Sequence, residues 1–180
     1  KDCFDVALEA SKLALKYMTP VVILSDSYLA NGSEPWRIPE IKDIPEIKTQ
    51  LATSKEDFKP YQRDQETLAR FWATAGTPGF EHRIGGLEKQ EVTGCVNYDG
   101  VNHEKMIHVR QEKINRVVSD IPPTEIMGNK DAKLLVMGWG STYGAIRQAI
   151  ENLNNNVVPV AFIHLRHLNP FPKELNGLLK

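Results

Sequence analysis

Apolar side chains recur every three or four positions near the start of the chain, and this spacing predicts a helix over residues 3–18. Asp2 is the expected N-cap, and Thr19-Pro20 ends the helix. A continuous apolar run at 21–25 then has the pattern of a strand buried on both faces of a parallel sheet. The predicted buried face of the helix comprises Phe4, Ala7, Leu8, Ser11, Leu15 and Met18.

Regular patterning is lost from residue 26 to about residue 57, where turn and proline signals dominate. Beyond it, a short helix is predicted at 65–73 and a strand or turn at 91–100. A longer helix follows Asn102, its expected N-cap, and occupies 103–119. Its predicted inner face comprises Met106, Ile107, Arg110, Ile114, Val117 and Val118. So long an irregular stretch is typical of a segment that has a function or packs on a partner.

The last third of the chain has the clearest pattern. After a proline-containing linker that begins at Ile121, a buried strand is predicted at 133–137, a helix at 143–153 and a second buried strand at 157–165. Asn169-Pro170-Phe171-Pro172 begins a last short helix. Strand, helix and strand in this order form a parallel βαβ unit, so the sequence predicts an α/β fold with pieces of parallel sheet.

Composition narrows the class of protein. The 180 residues are 41% apolar and 25% charged, and 22 basic against 23 acidic residues leave a net charge of -1, which argues against a nucleic-acid partner. No apolar run approaches the length that spans a membrane. Cys3 and Cys95 lack the spacing of a metal or iron–sulfur site, so a reduced, cytoplasmic chain is expected. The first residues run directly into a helix pattern, so we expect a piece of a longer protein.

The loop Gly76–Glu88 combines glycine and proline turn chemistry with three consecutive ionisable side chains, Glu81, His82 and Arg83. One interpretation is a stiff structural loop between two folding units, with its charges in water. The other is a functional site in which these three residues perform acid–base chemistry or bind an anion.

Two further motifs have weaker signals. Gly138-x-Gly140-x-x-x-Gly144 follows a strand and opens a helix, as in a dinucleotide site, but the next strand ends in His164, Arg166 and His167 instead of an acid. Arg166 could accept a 2′-phosphate, whereas the structural alternative is a tight strand-to-helix turn. His103 and His108 are five residues apart, which is the wrong spacing for a metal pair on a helix.

Several motifs, in order, carry a resemblance to one family. They are Asn31-Gly32-Ser33-Glu34-Pro35-Trp36-Arg37-Ile38-Pro39, the loop 76–88, Asn102-His103-Glu104-Lys105-Met106, the strand and turn at 134–140, and Asn169-Pro170-Phe171-Pro172. On these motifs the chain resembles the α subunit of 2-oxoacid:ferredoxin oxidoreductases, and among them the 2-oxoglutarate type.

The resemblance implies an activity and a domain plan. Such enzymes oxidatively decarboxylate a 2-oxoacid with thiamine diphosphate, capture the acyl group on coenzyme A and pass electrons through iron–sulfur clusters to ferredoxin. A β subunit binds the diphosphate and magnesium, so an oligomer is implied. Residues 1–45 would end a pyrimidine-type thiamine-binding domain, 46–130 would connect, and 131–180 would begin a transketolase C-terminal-like domain.

The resemblance also implies that the family's known catalytic groups and clusters lie outside this chain, which would bind no cofactor and be inactive alone. The glycine-rich loop then has a structural or interface role that borders the active site, with Glu81, His82 and Arg83 as the candidate catalytic residues. Two alternatives remain: a dinucleotide-binding module and a non-catalytic assembly domain.

Overall fold

The computed structural model describes residues 1–155 and 158–179, which form two compact units. The first unit comprises Lys1–Ile23 and Arg37–Ser119, and the second comprises Leu24–Trp36 and Asp120–Lys180. Together they contain helices and a small mixed sheet, which confirms the predicted α/β class. The boundaries predicted at residues 45 and 130 refer to domains of a longer protein and stay predictions.

Helix α1 of the first unit, Asp2–Tyr17, confirms the first predicted helix. Asp2 is not its N-cap: Lys1 occupies that position, and Asp2 and Asp5 lie in the first turn, where the helix dipole favours a carboxylate. Lys1 also pairs with Asp5, with 2.6 Å between Nζ and Oδ2. Met18 ends the helix in the left-handed conformation, with φ 44°.

The buried face of α1 is rotated away from the predicted one. Leu13 and Tyr17 are buried, whereas Phe4 is 37% exposed and Ser11 is exposed. The Tyr17 hydroxyl donates to the carbonyl oxygen of Arg116 at 3.2 Å. Periodicity identified the helix but not this face, because the face is selected by the part of the chain that packs on it.

The predicted strand at 21–25 is wrong. Val22 and Leu24 are 78% and 73% exposed, and the segment has no strand assignment. A buried strand needs hydrogen-bonding neighbours, and the structure pairs no described strand with this segment.

Residues 37–99 contain short turns and isolated bridges. The helix predicted at 65–73 is absent, because Leu68 has a left-handed φ of 56° that a right-handed helix cannot contain. The Asp64 carboxylate accepts hydrogen bonds from the backbone N–H of Thr67 at 2.7 Å and from its hydroxyl at 2.8 Å. These bonds stabilise a turn in place of a helix, and Arg63 and Arg70 become partners across an antiparallel bridge. A further parallel bridge joins Leu51 to Trp72.

Helix α3, Gly100–Arg116, begins earlier than predicted and continues into a 3₁₀ turn at Val117–Asp120. Its N-cap is Asp99 and not Asn102, since the Asp99 carboxylate accepts from the backbone N–H of Asn102 at 3.1 Å. Met106 and Val117 are buried as predicted, but Ile107 is 46% exposed.

Two hydrogen bonds attach the rest of this unit to the end of α1. Trp72 Nε1 donates to the carbonyl oxygen of Leu15 at 2.8 Å, and Lys113 Nζ donates to that of Met18 at 3.0 Å. Carbonyl oxygens in the last turn of a helix have no partner within the helix, so both bonds satisfy groups that would otherwise need water. We call this group of four residues the α1 clamp.

The second unit holds a sheet with strand order β1-β3-β2. Strands β2, Leu134–Trp139, and β3, Val160–Leu165, are parallel and follow the predicted βαβ order through α4, Tyr143–Asn155. Strand β1, Ile126–Gly128, lies antiparallel to β3 and occupies part of the predicted linker. The predicted start of the second strand, residue 157, lies outside the described residues.

Side chains of β3 alternate between two small cores. Phe162 packs with Ile150 of α4 on one face, and Ile163 packs with Leu175 of α5 on the other. Helix α5 spans Leu175–Leu178, and α2, Ser27–Asn31, belongs to the same unit. A helix on each face of a parallel pair explains why β2 and β3 read as continuous apolar runs.

None of the helices in the described part of the chain combines the length and apolarity that a membrane crossing requires. Cys3 and Cys95 are both exposed, free thiols.

The α1 clamp predicts a specific loss of stability. Trp72→Phe keeps an aromatic ring but removes the indole donor to Leu15, so the free energy of unfolding should fall by about 1 kcal/mol. Urea denaturation of wild type and variant measures the difference. Trp139→Phe is the control, because Trp139 is 58% exposed and should change stability little. Equal effects of the two substitutions would contradict the clamp.

Candidate functional site

Left-handed glycines and a buried aromatic ring shape the loop Gly76–Glu88. Gly76 and Gly79 have φ of 83° and 89°, a conformation that L-residues with side chains rarely adopt. The backbone N–H of Phe80 donates to the carbonyl oxygen of Thr77 at 3.2 Å, and the Phe80 side chain is buried. The loop is therefore anchored at its middle by one ring.

The three predicted site residues, which follow Phe80 in the chain, make different contacts. The Glu81 carboxylate accepts from the backbone N–H of Gly79 at 2.8 Å, and His82 Nδ1 lies 2.8 Å from the carbonyl oxygen of Phe80. Arg83 is exposed, and the described residues provide no hydrogen bond or ion pair for it. The structure thus does not join the three into one hydrogen-bonded group.

His82 also belongs to a small aromatic cluster. Its ring centroid lies 5.4 Å from that of Phe58 in an edge-on arrangement, and Phe58 contacts Phe80 in the same way at 4.9 Å. Phe58 also lines a cavity of about 250 Å³ together with Phe71. The cluster therefore packs the imidazole against Phe58, one of the residues that line this cavity.

The end of the loop is held by a carboxylate that the sequence alone did not mark. Glu88 Oε2 lies 2.6 Å from His103 Nδ1, and Glu88 Oε1 accepts from Arg110 Nη1 at 3.2 Å. His103 and Arg110 are seven residues apart on α3, about two turns, so both reach one carboxylate from the same face. Glu88 thereby attaches the loop to α3.

Burial and pairing shift the pKa of Glu88 in opposite directions. Burial alone raises the pKa of this carboxyl, but the hydrogen bonds from Arg110 and His103 and the Arg110 charge outweigh it and hold the pKa below its usual value. Glu88 is therefore a charged, structural carboxylate at neutral pH and not a proton donor.

Lys89 is the most buried charged residue of the site, at 2% exposed. Its ammonium donates to the carbonyl oxygen of Gly85 at 2.9 Å and to that of Leu87. Lysine is rarely buried, so its burial here depends on backbone acceptors that the loop supplies.

Asn102 joins the next turn to α3. Its side-chain oxygen accepts from the backbone N–H of Glu91 at 3.2 Å, and its amide nitrogen donates to the carbonyl oxygen of Lys89 at 3.1 Å. Residues 89 and 96 pair across an antiparallel bridge, so the predicted strand or turn at 91–100 is a tight turn. Asn102 therefore ties this turn to α3 and does not cap the helix.

The two histidines of α3 have separate partners. His103 pairs with Glu88, and His108 Nε2 lies 3.8 Å from Glu104 Oε1 on the exposed surface. Within residues 1–155 and 158–179, no three metal-binding side chains converge.

In the second unit, the glycine turn after β2 is tightly packed. A Cβ at position 138 would lie 2.5 Å from Cδ1 of Ile146 and 2.9 Å from the hydroxyl of Thr142, so only glycine fits without movement. Gly140 has φ of 62°. The packing at Gly138 and the left-handed backbone at Gly140 both require glycine, which is what a tight strand-to-helix turn predicts.

An acidic residue faces the same turn. A hydrogen bond from the side chain of Ser141, followed by one from the backbone of Leu29, lowers the pKa of Asp26. Asp26 also caps α2, accepting from the N–H of Leu29 at 3.0 Å. A carboxylate here disfavours the pyrophosphate of a dinucleotide at this turn.

The pairing of Glu88 predicts a pH-dependent contribution to stability. Because its folded pKa is lowered, this contribution is present above the carboxyl's unfolded pKa and is lost as pH falls through the folded pKa. Glu88→Gln should lower the free energy of unfolding at pH 7 by about 1–2 kcal/mol, and wild type and variant should converge in acid.

Urea denaturation at pH 7 and at pH 3 measures this effect. Glu104→Gln is the control, since the Glu104 side chain is 78% exposed and its pair with His108 is long. A loss of stability for Glu88→Gln that does not change with pH would contradict the pairing.

Comparisons with known proteins relate this geometry to a family. Residues 1–97 match the family described as pyruvate flavodoxin/ferredoxin oxidoreductase, thiamine diphosphate-binding. Over 180 residues the chain is 49% identical to the 2-oxoglutarate oxidoreductase subunit KorA of Mycobacterium tuberculosis, covering 99% of this chain and 27% of that one. It is 31% identical to the 2-oxoacid:ferredoxin oxidoreductase subunit alpha of Saccharolobus solfataricus, covering 97% of this chain and 28% of that subunit.

A solved structure has the same fold. The chain superposes with a TM-score of 0.87 and 29% identity on 2-oxoglutarate:ferredoxin oxidoreductase from Magnetococcus marinus with 2-oxoglutarate, coenzyme A and succinyl-CoA bound, covering 98% of this chain and 31% of that one. The chain thus spans between a quarter and a third of these relatives. The chain belongs to the pyruvate flavodoxin/ferredoxin oxidoreductase family and is similar in sequence and fold to subunits of 2-oxoglutarate and 2-oxoacid:ferredoxin oxidoreductases.

Proposed function

We propose that this chain is part of the α subunit of a thiamine-dependent 2-oxoacid:ferredoxin oxidoreductase whose substrate is 2-oxoglutarate. The observation that carries the proposal is the 49% identity, along nearly the whole chain, to a 2-oxoglutarate oxidoreductase subunit. The similarity to an enzyme with 2-oxoglutarate and coenzyme A bound supports the same substrate class.

The proposed reaction converts a 2-oxoacid and coenzyme A into an acyl-CoA thioester, carbon dioxide, one proton and two electrons, which pass to ferredoxin. Thiamine diphosphate would supply the carbanion chemistry of decarboxylation. The family resemblance assigns the diphosphate and magnesium to other parts of the enzyme. A β subunit would hold both, and iron–sulfur clusters would lie on other parts of the enzyme.

The chain's own contribution would be to position a loop at the edge of the active site. The buried Phe80, the Glu88 pair with His103 and Arg110, and the buried Lys89 hold the loop in one conformation. Arg83 lies between these anchors with an exposed guanidinium, so it is the side chain best able to meet a substrate or a neighbouring subunit.

The proposed setting is a cytoplasmic oligomer of α and β subunits that uses ferredoxin as electron acceptor. The two free, exposed cysteines are consistent with a reducing compartment. The family membership and the named relatives support the oligomer, since two of them are named as subunits.

The activity is tested with the complete α subunit co-expressed with its β subunit. Reduction of a viologen dye is measured with a panel of 2-oxoacids, with and without coenzyme A. We expect coenzyme A-dependent reduction that is fastest with 2-oxoglutarate. Preference for another 2-oxoacid would correct the substrate, and no reduction with any of them would contradict the proposal.

The loop residues are tested in the same complete enzyme. Arg83→Ala should lower kcat/KM by roughly tenfold or more without changing the melting temperature, because no described contact stabilises Arg83. Glu81→Ala and His82→Ala should also lower activity more than melting temperature.

Lys12→Ala, a substitution of an exposed lysine on α1, is the matched control and should leave both quantities unchanged. If all three loop variants lose activity only in proportion to stability, the loop is structural and these residues have no role in the reaction.

A further inference from the structure

Four cationic residues lie on α3 or on the bridge next to it in the first unit. Arg63 and Arg70 are partners across an antiparallel bridge, which sets their Cα atoms opposite each other. Arg110 and Lys113 are three residues apart on α3 and therefore adjacent on its surface. Arg116, one turn after Lys113, donates to the carbonyl oxygens of Gln65 at 2.6 Å and Glu66 at 3.0 Å, so α3 lies against the turn between Arg63 and Arg70. We call the four residues the cation cluster, and the charges of its three arginines act on Lys113.

Backbone carbonyls hold Arg63 and Lys113 without neutralising them. Arg63 Nη1 donates to the carbonyl oxygen of Leu68 at 2.8 Å, and Lys113 donates to that of Met18. The Nε atom of Arg63 is buried and has no hydrogen-bond partner among the described residues. Two half-buried cations are thus fixed in place with their charge uncompensated.

Arg70 is held by an aromatic ring. Its guanidinium carbon lies 4.4 Å from the ring centroid of Tyr61, and its Nη1 lies 3.4 Å from the carbonyl oxygen of Pro60. Neither contact removes the positive charge. The planar guanidinium is therefore oriented in advance of any partner that it meets.

Few carboxylates are available to neutralise the positive charge of the cluster. Glu88 pairs with Arg110, but it also pairs with His103. Glu91 acts electrostatically on Arg63, but its own salt bridge is to Lys105, outside the cluster. Arg63, Arg70 and Lys113 accordingly have no ion pair among the described residues.

The lack of an anion has a measurable consequence. Burial, followed by the charges of Arg63, Arg70 and Arg110, lowers the pKa of Lys113 to about 8. The stability contribution of this lowered pKa is fully present above the usual lysine pKa and is lost as pH falls through about 8. At neutral pH the uncompensated positive charge therefore destabilises the fold, and a bound anion would relieve that cost.

We propose that the cation cluster binds a phosphate group of a small molecule. A dianionic phosphate matches three unpaired cations better than one carboxylate does, and guanidinium groups donate to its oxygens with favourable geometry. Lys113 alone could be explained as a cap of α1, but that role does not explain why Arg63 and Arg70 face each other beside it. The inference is independent of the reaction, since it concerns binding only.

Inorganic phosphate is the probe, added to the complete subunit at pH 7.5 against sodium chloride of equal ionic strength. We expect phosphate to raise the melting temperature of wild type. Arg70→Gln and Lys113→Met should each remove most of that rise, whereas Lys12→Met, which removes an equal charge from an exposed site, should keep it.

A second arm uses pH. Between pH 7.5 and 9.0 the protonated fraction of a lysine with a pKa of about 8 falls roughly eightfold, so phosphate affinity in wild type should fall by up to that factor. Lys113→Arg keeps the charge at both pH values, so this variant should bind phosphate with little change over the same range. Equilibrium dialysis with radiolabelled phosphate measures both affinities.

Two results would overturn the proposal. An equal rise in melting temperature for wild type and all variants would place phosphate elsewhere or show ionic effects only. No rise in the melting temperature of wild type would show that the cluster does not bind phosphate.

Discussion

The end of helix α1 is the point on which the first unit depends. A helix leaves its last carbonyl oxygens without internal partners, and here Trp72 and Lys113 donate to those of Leu15 and Met18. The two donors are far from α1 in sequence, so the bonds form only when the irregular region and α3 have both reached the helix. A long stretch with little regular structure is thereby tied to a regular element at two places, and the hydroxyl of the buried Tyr17 adds a further bond from α1 to the carbonyl oxygen of Arg116.

The conformation of the glycine-rich loop depends on the position of α3. Once α3 is placed, His103 and Arg110 hold Glu88, and Asn102 holds the turn that follows. Lys89 completes the arrangement from inside by donating to loop carbonyls. Each of these polar side chains has a hydrogen-bonding partner, which is the condition for burying polar groups without a large loss of stability. The loop can therefore present an exposed Arg83 from a stiff frame.

The local sequence pattern correctly predicted those elements whose formation depends on interactions between residues close in sequence. The periodicity of α1 and the order strand, helix, strand of β2, α4 and β3 were readable because short-range spacing reflects burial in those elements. The apolar run at 21–25 was misread, since a strand exists only with neighbours that the described chain does not pair with it. Burial of Lys89 and Lys113 and the role of Glu88 were not readable at all. The partners of Lys113 and Glu88 lie many residues away, and Lys89 depends on a loop conformation that turns the nearby carbonyls of Gly85 and Leu87 toward it. In the sequence, a lysine or glutamate of this kind has no mark that distinguishes it from a solvated one.

Family membership places this frame in a subunit of a thiamine diphosphate-binding family. The proposed function adds that this segment contributes shape and charge while other parts of the assembly hold the cofactor. The most direct test of that account is calorimetric titration of the complete α and β subunits with thiamine diphosphate in the presence of magnesium. The account predicts saturable binding of one cofactor for each α–β pair, with the isolated α subunit failing to bind. Binding of the cofactor by the isolated α subunit, or no binding by the complete assembly, would contradict the account.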